Sequence, residues 1–277
     1  MLKTRIITAL VLLLVLLAVL FGGYFPAFAA VLLVFLLAAE TEAFQLFQSP
    51  RKQALVISLF WTAAFAYTFL YRAQTPALIF WFAFSTIIWL LRFVPSLKVG
   101  LPPPNGPRNT MIGSLYAISI VACFAAIVMF FRHSPVYLLS VMALVWIADI
   151  GAYFAGKAFG KRKLAPTISP GKSWEGAIGG GIAVLVLAAL SVVSGAPLLA
   201  DTFAVHVQAR LGWAALFGIL AVLVAASIVG DLFESQLKRR AGVKDSSNLL
   251  PGHGGVLDRI DALIPVLPLA ALIHSQL

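Results

Sequence analysis

Apolar runs of about twenty residues recur from one end of this chain to the other, and they leave few folds open. Of its 277 residues, 61% are hydrophobic and 11% are charged. A soluble domain carries about 25% charged residues. A hydrocarbon core about 30 Å thick is crossed by about 20 residues of helix. Inside that core each backbone polar group needs an internal partner, so helices and closed barrels are the structures that span it. The ten-residue alternating segments of a barrel are not seen. The chain is therefore expected to be an all-α integral membrane protein. No internal repeat is evident, so an inverted-repeat transporter gains no support.

Nine spans can be read, at roughly 5–22, 26–46, 53–71, 77–97, 111–131, 137–157, 176–195, 212–234 and 256–274. The breaks fall at Gly22-Gly23, Ser49-Pro50, Thr75-Pro76, the proline-rich 102–107 and Ser134-Pro135, which are turn signals. The N-terminus resembles a signal peptide, with a small-residue stretch at 27–30 as a possible cleavage site. The run Ile6–Phe21 is longer than a typical signal core and further spans follow, so it is read as an uncleaved first helix. Residues 1–135 are expected to form an N-terminal set of five helices, and 136–277 a catalytic set of four with cytoplasmic loops.

Charge tests this parsing. With the N-terminus in the cytoplasm, seventeen of the twenty Lys and Arg fall in cytoplasmic segments, and Arg72, Arg132 and Arg210 fall outside. That asymmetry is what the positive-inside rule expects. The C-terminus then lies outside. The net charge of +10 would suggest nucleic acid in a soluble protein. Here it sits in short loops, where it sets orientation and meets anionic lipid, so no nucleic-acid partner is expected. The one cysteine, Cys123, allows no internal disulfide and no thiol metal cluster.

One stretch breaks the apolar pattern. Residues Ser235 to Asp261 hold five Lys/Arg, three of the ten Asp/Glu and the turn Pro251-Gly-His-Gly-Gly255. Two more polar clusters share its side of the membrane. In the first, Asp149, Tyr153, Gly156 and Gly160 follow helical spacing on one face. Asp149 lies about 12 Å inside its span at 1.5 Å per residue. An acid at depth costs about 2.5–3.5 kcal/mol on insertion scales, so it faces a partner or a wet cavity. The glycines of this face serve equally for close helix packing.

The second cluster is Ser169-Pro-Gly-Lys-Ser-Trp-Glu-Gly176, a turn feeding a helix. A helix N-terminus offers free N–H groups to phosphate, and Lys172 and Ser173 add donors. The plainer reading is a helix cap, Ser173 with Glu175 beyond it. The frame of a nucleotide-binding P-loop is absent.

In the third, Asp231, Glu234, Ser235 and Lys238 share a helical face. Asp258 and Asp261 share another, beside Arg259. Two helices thus bring acids to one level, which suits a hard divalent cation. The glycines around His253 would let backbone approach a ligand closely. A lattice of ion pairs is the plainer alternative. His133, His206 and His274 fall at the outer side and look incidental. Carboxylates, cations and a lipid surround together suggest phosphoryl or nucleotidyl transfer on a lipid, chemistry carried mostly by positioning and charge neutralisation.

The stretch from Ser235 to Asp261 closely resembles the phosphatidate cytidylyltransferase (CDP-diacylglycerol synthase) family. Ser235, Lys238, Arg239, Lys244, Asp245, Pro251, His253, Gly254, Gly255, Asp258, Arg259 and Asp261 match its pattern without a gap. The elements at Ser169–Gly176 and Asp149–Gly160 also look like the family's; residues 1–135 resemble it only as several apolar spans. The resemblance implies transfer of the cytidylyl group of CTP to phosphatidic acid at the inner bacterial membrane. It implies Mg²⁺, with a second cation conceivable, and a homodimer. Asp231 and Asp258 would hold metal, with Asp261 and Asp149 as further candidates. Lys172, Lys238, Arg239, Lys244 and Arg259 would meet the reacting phosphates, and His253 is a further catalytic candidate that could equally be a turn histidine. Ser169, Ser173, Glu175, Ser235, Asp245, Gly254 and Gly255 would shape the substrate site.

Two rivals are weighed. A CTP-using polyprenol kinase would release CDP, and the full match over Ser235–Asp261 argues against it. A transporter could use Asp149 and Glu40 as an ion path, but would be expected to carry polar groups through the outer half, which is almost bare.

Overall fold

The computed structural model describes residues 2–72, 75–104 and 106–277, and for residues 2–5, 70–72 and 75–77 it describes backbone alone. The side chains of Lys3, Arg5 and Arg72, and Asn105 within the proline-rich break, lie outside the described residues. The chain runs through α1 (Leu2–Phe21), α2 (Phe25–Leu46), α3 (Arg51–Phe65), α4 (Thr75–Ile88), α5 (Val94–Val99), α6 (Pro107–His133) and α7 (Pro135–Phe159). A small hairpin, β1 (Lys163–Ala165) and β2 (Ser169–Ser173), leads into α8 (Trp174–Ser194). Then follow α9 (Phe203–Ala241), the single turn α10 (Leu257–Ile260) and α11 (Leu263–His274). The fold is that of an all-α membrane protein.

Among the described residues six helices are long and apolar enough to cross a membrane, fewer than the nine spans read from the sequence. Expected spans one and nine appear as the shorter apolar helices Ile6–Phe21 and Leu263–His274. The third begins as α3 and loosens into a π-helical segment, Ala66–Arg72. The ninth is divided into α10 and α11. Pro265 has no N–H to give the Asp261 carbonyl, so that hydrogen bond is missing, while Asp261 and Ala262 keep right-handed helical φ/ψ. The eighth is longer than expected, because α9 carries on beyond the apolar run to Ala241, where Gly242 in the left-handed region caps it. A second glycine with positive φ, Gly212, breaks α9 near its start.

The core is built on α6 and α11. Along α6 the run Ile120–Val128 is buried on every side, and α11 is buried almost throughout. Helices apolar all round belong inside. α11 packs against α6, α4, α9 and α7, and α2 packs against α3 and α6. α7 and α8 lie along one another most closely. A Cβ on Gly151 would stand 2.9 Å from the Ala183 Cβ and 3.1 Å from the Gly180 Cα. Small residues at this seam let two backbones meet.

The polar turn expected at Ser169–Ser173 is more ordered than a turn. β2 pairs antiparallel with β1, Ala165 opposite Ser169 and Lys163 opposite Ser173. The hairpin fixes the direction in which Lys172 enters the bundle.

Candidate active site

A cavity of about 410 Å³ opens between α7, α8 and α9. Asp149, Tyr153, Gly156 and Lys157 line it from α7, Lys172 and Ser173 from β2, and Ser227 and Asp231 from α9. The Lys172 Nζ meets Asp231 Oδ2 at 2.5 Å, with both side chains about a quarter to a third exposed. Asp231 also accepts from the Ser235 hydroxyl at 3.2 Å. Of the helical face read as Asp149, Tyr153, Gly156 and Gly160, the first three line this cavity and Gly160 does not.

Behind the cavity lies a compact charge cluster. Lys238 Nζ donates to Glu234 Oε2 and to Asp258 Oδ1, both at 2.6 Å. All three side chains are largely withdrawn from solvent, at 13%, 0% and 4% exposure. Asp258 Oδ2 accepts from the Ser246 backbone N–H, the Ser246 hydroxyl and the Gly255 N–H, each at 2.8 Å. Burial pushes the Asp258 carboxyl up, but Lys238 and these backbone donors outweigh it and hold it below the usual carboxylate range. Burial, with the Asp231 charge adding to it, pushes the Asp261 carboxyl up, and its contacts with Glu234 and the Ala262 N–H do not offset this.

Sequence reasoning passed over the residue that holds the loop shut. Glu42, near the end of α2, is 4% exposed. Its Oε1 accepts from the Ser247 hydroxyl at 2.7 Å and the Val256 N–H at 3.1 Å. Its Oε2 accepts from the Ser246 hydroxyl at 3.0 Å and the Leu257 N–H at 2.7 Å. The N-terminal half therefore supplies the anion that caps α10. A signal existed: Glu40 and Glu42 are acids closing an apolar span, but position alone does not show which loop they reach.

The glycine turn packs tightly against its neighbours. Gly254 and Gly255 bring backbone close to the protein's own carboxylates. A Cβ on Gly254 would stand 2.6 Å from Asp258 Oδ2, and one on Gly255 would run into the Ser246 hydroxyl and Glu42. Asp245 is exposed and backs Gly254, whose added Cβ would lie 3.2 Å from its own.

Other assigned residues hold the frame. The Ser173 hydroxyl accepts from the Gly176 N–H at 3.1 Å and caps α8, as the plainer reading had it. Glu175 accepts from the N–H groups of Lys161 and Arg162 and from the Arg162 side chain, fastening the end of α7. Glu175 and Ser169 do not line the cavity. Arg239 donates to the Ile168 carbonyl, and Arg259 to that of His253. Lys244 is exposed. His253 presents a buried Nδ1 that has no hydrogen-bond partner. Arg240, not singled out from sequence, donates to the Pro102 carbonyl and to Asn109 Oδ1, and lies over the Phe47 ring.

Fold and site together define a class: a helical membrane enzyme with cations and carboxylates gathered around an open recess at one end of its bundle, suited to phosphate-bearing substrates. A sequence model of the cytidylyltransferase family matches residues 3–277. The chain belongs to that family. The phosphatidate cytidylyltransferase of Pseudomonas aeruginosa is 39% identical over 279 residues, covering 98% of this chain and 96% of that protein. That of Haemophilus influenzae is 49% identical over 172 residues, which is 58% of this chain and 56% of that protein. That of Mycobacterium tuberculosis is 36% identical over 171 residues, 60% of this chain and 48% of that protein.

Proposed function

We infer that this chain catalyses CTP + phosphatidic acid → CDP-diacylglycerol + pyrophosphate. The observation that carries the inference is the recess between α7, α8 and α9, where Lys172, Asp231 and Asp149 meet beside exposed apolar side chains. A phosphate monoester at the end of a lipid needs such a place, charged within and open sideways to acyl chains. Tyr153 and Phe154 are more than 60% exposed on this flank. The reacting oxygen belongs to a phosphate that is already anionic, so no general base is required of the protein. The lipid phosphate forms a bond to the α-phosphorus of CTP, and the bond from that phosphorus to the pyrophosphate oxygen breaks. Lys172 is placed to neutralise charge on the phosphates, and Lys238 keeps Glu234 and Asp258 together.

The residues present fit a hard divalent cation such as Mg²⁺. Glu234 Oε1 is buried with no hydrogen-bond partner, and Asp258 Oδ1 is shared only with Lys238 among the described contacts. Asp231 and Asp258 would hold the ion, with Asp261 as a further ligand and a second cation part of the same reading. Bound there, Mg²⁺ supplies counter-charge to phosphate oxygens.

The same reading puts the recess on the cytoplasmic face of the bacterial inner membrane, with the N-terminus inside and the C-terminus outside. The seventeen-to-three distribution of Lys and Arg supports it. A homodimer is part of the reading, resting on family resemblance.

The test is purified protein in detergent with cytidine-labelled CTP and phosphatidic acid, with and without Mg²⁺. Cytidine label is expected on lipid, and only with the metal. Release of CDP with unlabelled lipid would overturn the assignment in favour of a lipid kinase.

A further inference from the structure

The end of the bundle away from the recess carries its own constellation. Asp231 lies 19 residues along α9 from the break at Gly212, about 28 Å of helix, and His206 stands on the far side of that break. Here three elements distant in sequence converge: the end of α6 with His133, the connection before α9 with Asp201, and the first turns of α9 with His206. His133 Nε2 lies 3.3 Å from Asp201 Oδ1, and His206 Nε2 lies 3.0 Å from that same oxygen. The three ligand atoms all lie within 4.8 Å of one another. Three of the chain's four histidines gather at this end, since His274 packs its ring 4.9 Å from that of His133. Nothing in their spacing along the chain marks them as a group.

We propose that His133, Asp201 and His206 form a binding site for a divalent transition-metal cation of the zinc class, with water in the remaining position. Two borderline imidazole nitrogens beside one hard carboxylate oxygen suit Zn²⁺ better than Mg²⁺ or Ca²⁺, which take all-oxygen ligands. Bonds of about 2.0–2.1 Å in a tetrahedron set neighbouring ligand atoms about 3.3–3.4 Å apart. Two of the three edges already stand near that length. The side chains remain 33–43% exposed, so an ion can enter and keep a water. Asp201 is steadied by a hydrogen bond from the Ser134 side chain, the kind of outer contact that orients a ligating carboxylate. Bound metal would clamp the α6–α7 corner to the start of α9, far from the cytidylyl-transfer chemistry and independent of it.

The test uses full-length protein carrying no polyhistidine tag, stripped with chelator and dialysed against Zn²⁺. One zinc per chain is expected by elemental analysis. His133→Ala with His206→Ala should weaken zinc binding by at least about a hundredfold, while His253→Ala leaves it intact. Co²⁺ should give the visible absorption of a four-coordinate site in the wild type and none in the double variant. A wild-type readout guards against a variant that fails to fold. Zn²⁺ should shield His133 and His206, but not His253, from imidazole acylation mapped by mass spectrometry. Zinc retained equally by the double variant, or no shielding in the wild type, would overturn the proposal and leave Asp201 as a hydrogen-bond hub only.

Discussion

At the scale of single residues, the site depends on carboxylates that do different work. Asp231 lies in the recess on Lys172, whereas Asp258 is fixed on both oxygens by Lys238 and by loop donors. Asp231→Asn is expected to abolish transfer while leaving thermal stability close to wild type, read by cytidylyl transfer beside an unfolding curve. Asp258→Asn should abolish transfer and also lower stability, because Lys238 and the Ser246 and Gly255 N–H groups lose their acceptor charge. Glu42 belongs with Asp258. Removing it in Glu42→Ala leaves the buried Val256 and Leu257 N–H groups unmet, each costing about 1–3 kcal/mol, while Ser246 keeps Asp258 as an acceptor. A drop of several kcal/mol and at least tenfold in turnover is expected, measured by denaturation in detergent and by assay. Glu42→Gln should recover part of both. Normal activity in Glu42→Ala would refute its role as the anchor of α10. The chemistry-bearing acids of the polar stretch were legible in the sequence by type and spacing. Glu42 was not, because its partners lie more than two hundred positions away and hydrogen-bond geometry has no local signature.

At the scale of elements, glycine decides which pieces can touch. Gly230 on α9 faces the Asp261 carbonyl at 2.5 Å from a would-be Cβ, and Pro265 at 2.9 Å. Gly255 leaves no space beside Ser246 and Glu42. Gly255→Ala is expected to push the loop off Glu42 and cut transfer by tenfold or more. Gly218→Ala, in open surroundings on the same helix as Gly230, should be silent or slightly stabilising, about 1 kcal/mol in a helix interior. Equal effects of the two substitutions, measured by transfer rate, would remove the packing argument. Helix periodicity located α7, α8 and α9, since a long apolar run permits little else. It did not locate the β1–β2 hairpin, whose residues carry no strand alternation and pair only because α7 and α8 already lie side by side. Nor did it mark the division between α10 and α11, although Pro265 was in plain sight.

At the scale of the whole molecule, one asymmetry organises everything: charge and carboxylates gather at one end, and the histidine-rich corner sits at the other. The orientation inferred from it can be checked directly. In a Cys123→Ala background, Lys244→Cys is expected to label with an impermeant thiol reagent only in inverted vesicles. Leu198→Cys, 77% exposed beside the α8–α9 connection, should label only in right-side-out preparations. The reverse pattern would overturn the cytoplasmic assignment. The sequence by itself determined the membrane class, the uneven placing of charge along the chain and the residues of the polar stretch. Hydropathy, charge asymmetry and fixed spacing are properties of the chain read in order. The tertiary structure alone decided that a carboxylate from α2 closes the C-terminal loop, that Lys238 bridges two acids instead of standing free, and that three histidines from distant segments share a corner. Those relations follow from how helices pack across the bundle, and packing brings together residues that no local pattern connects.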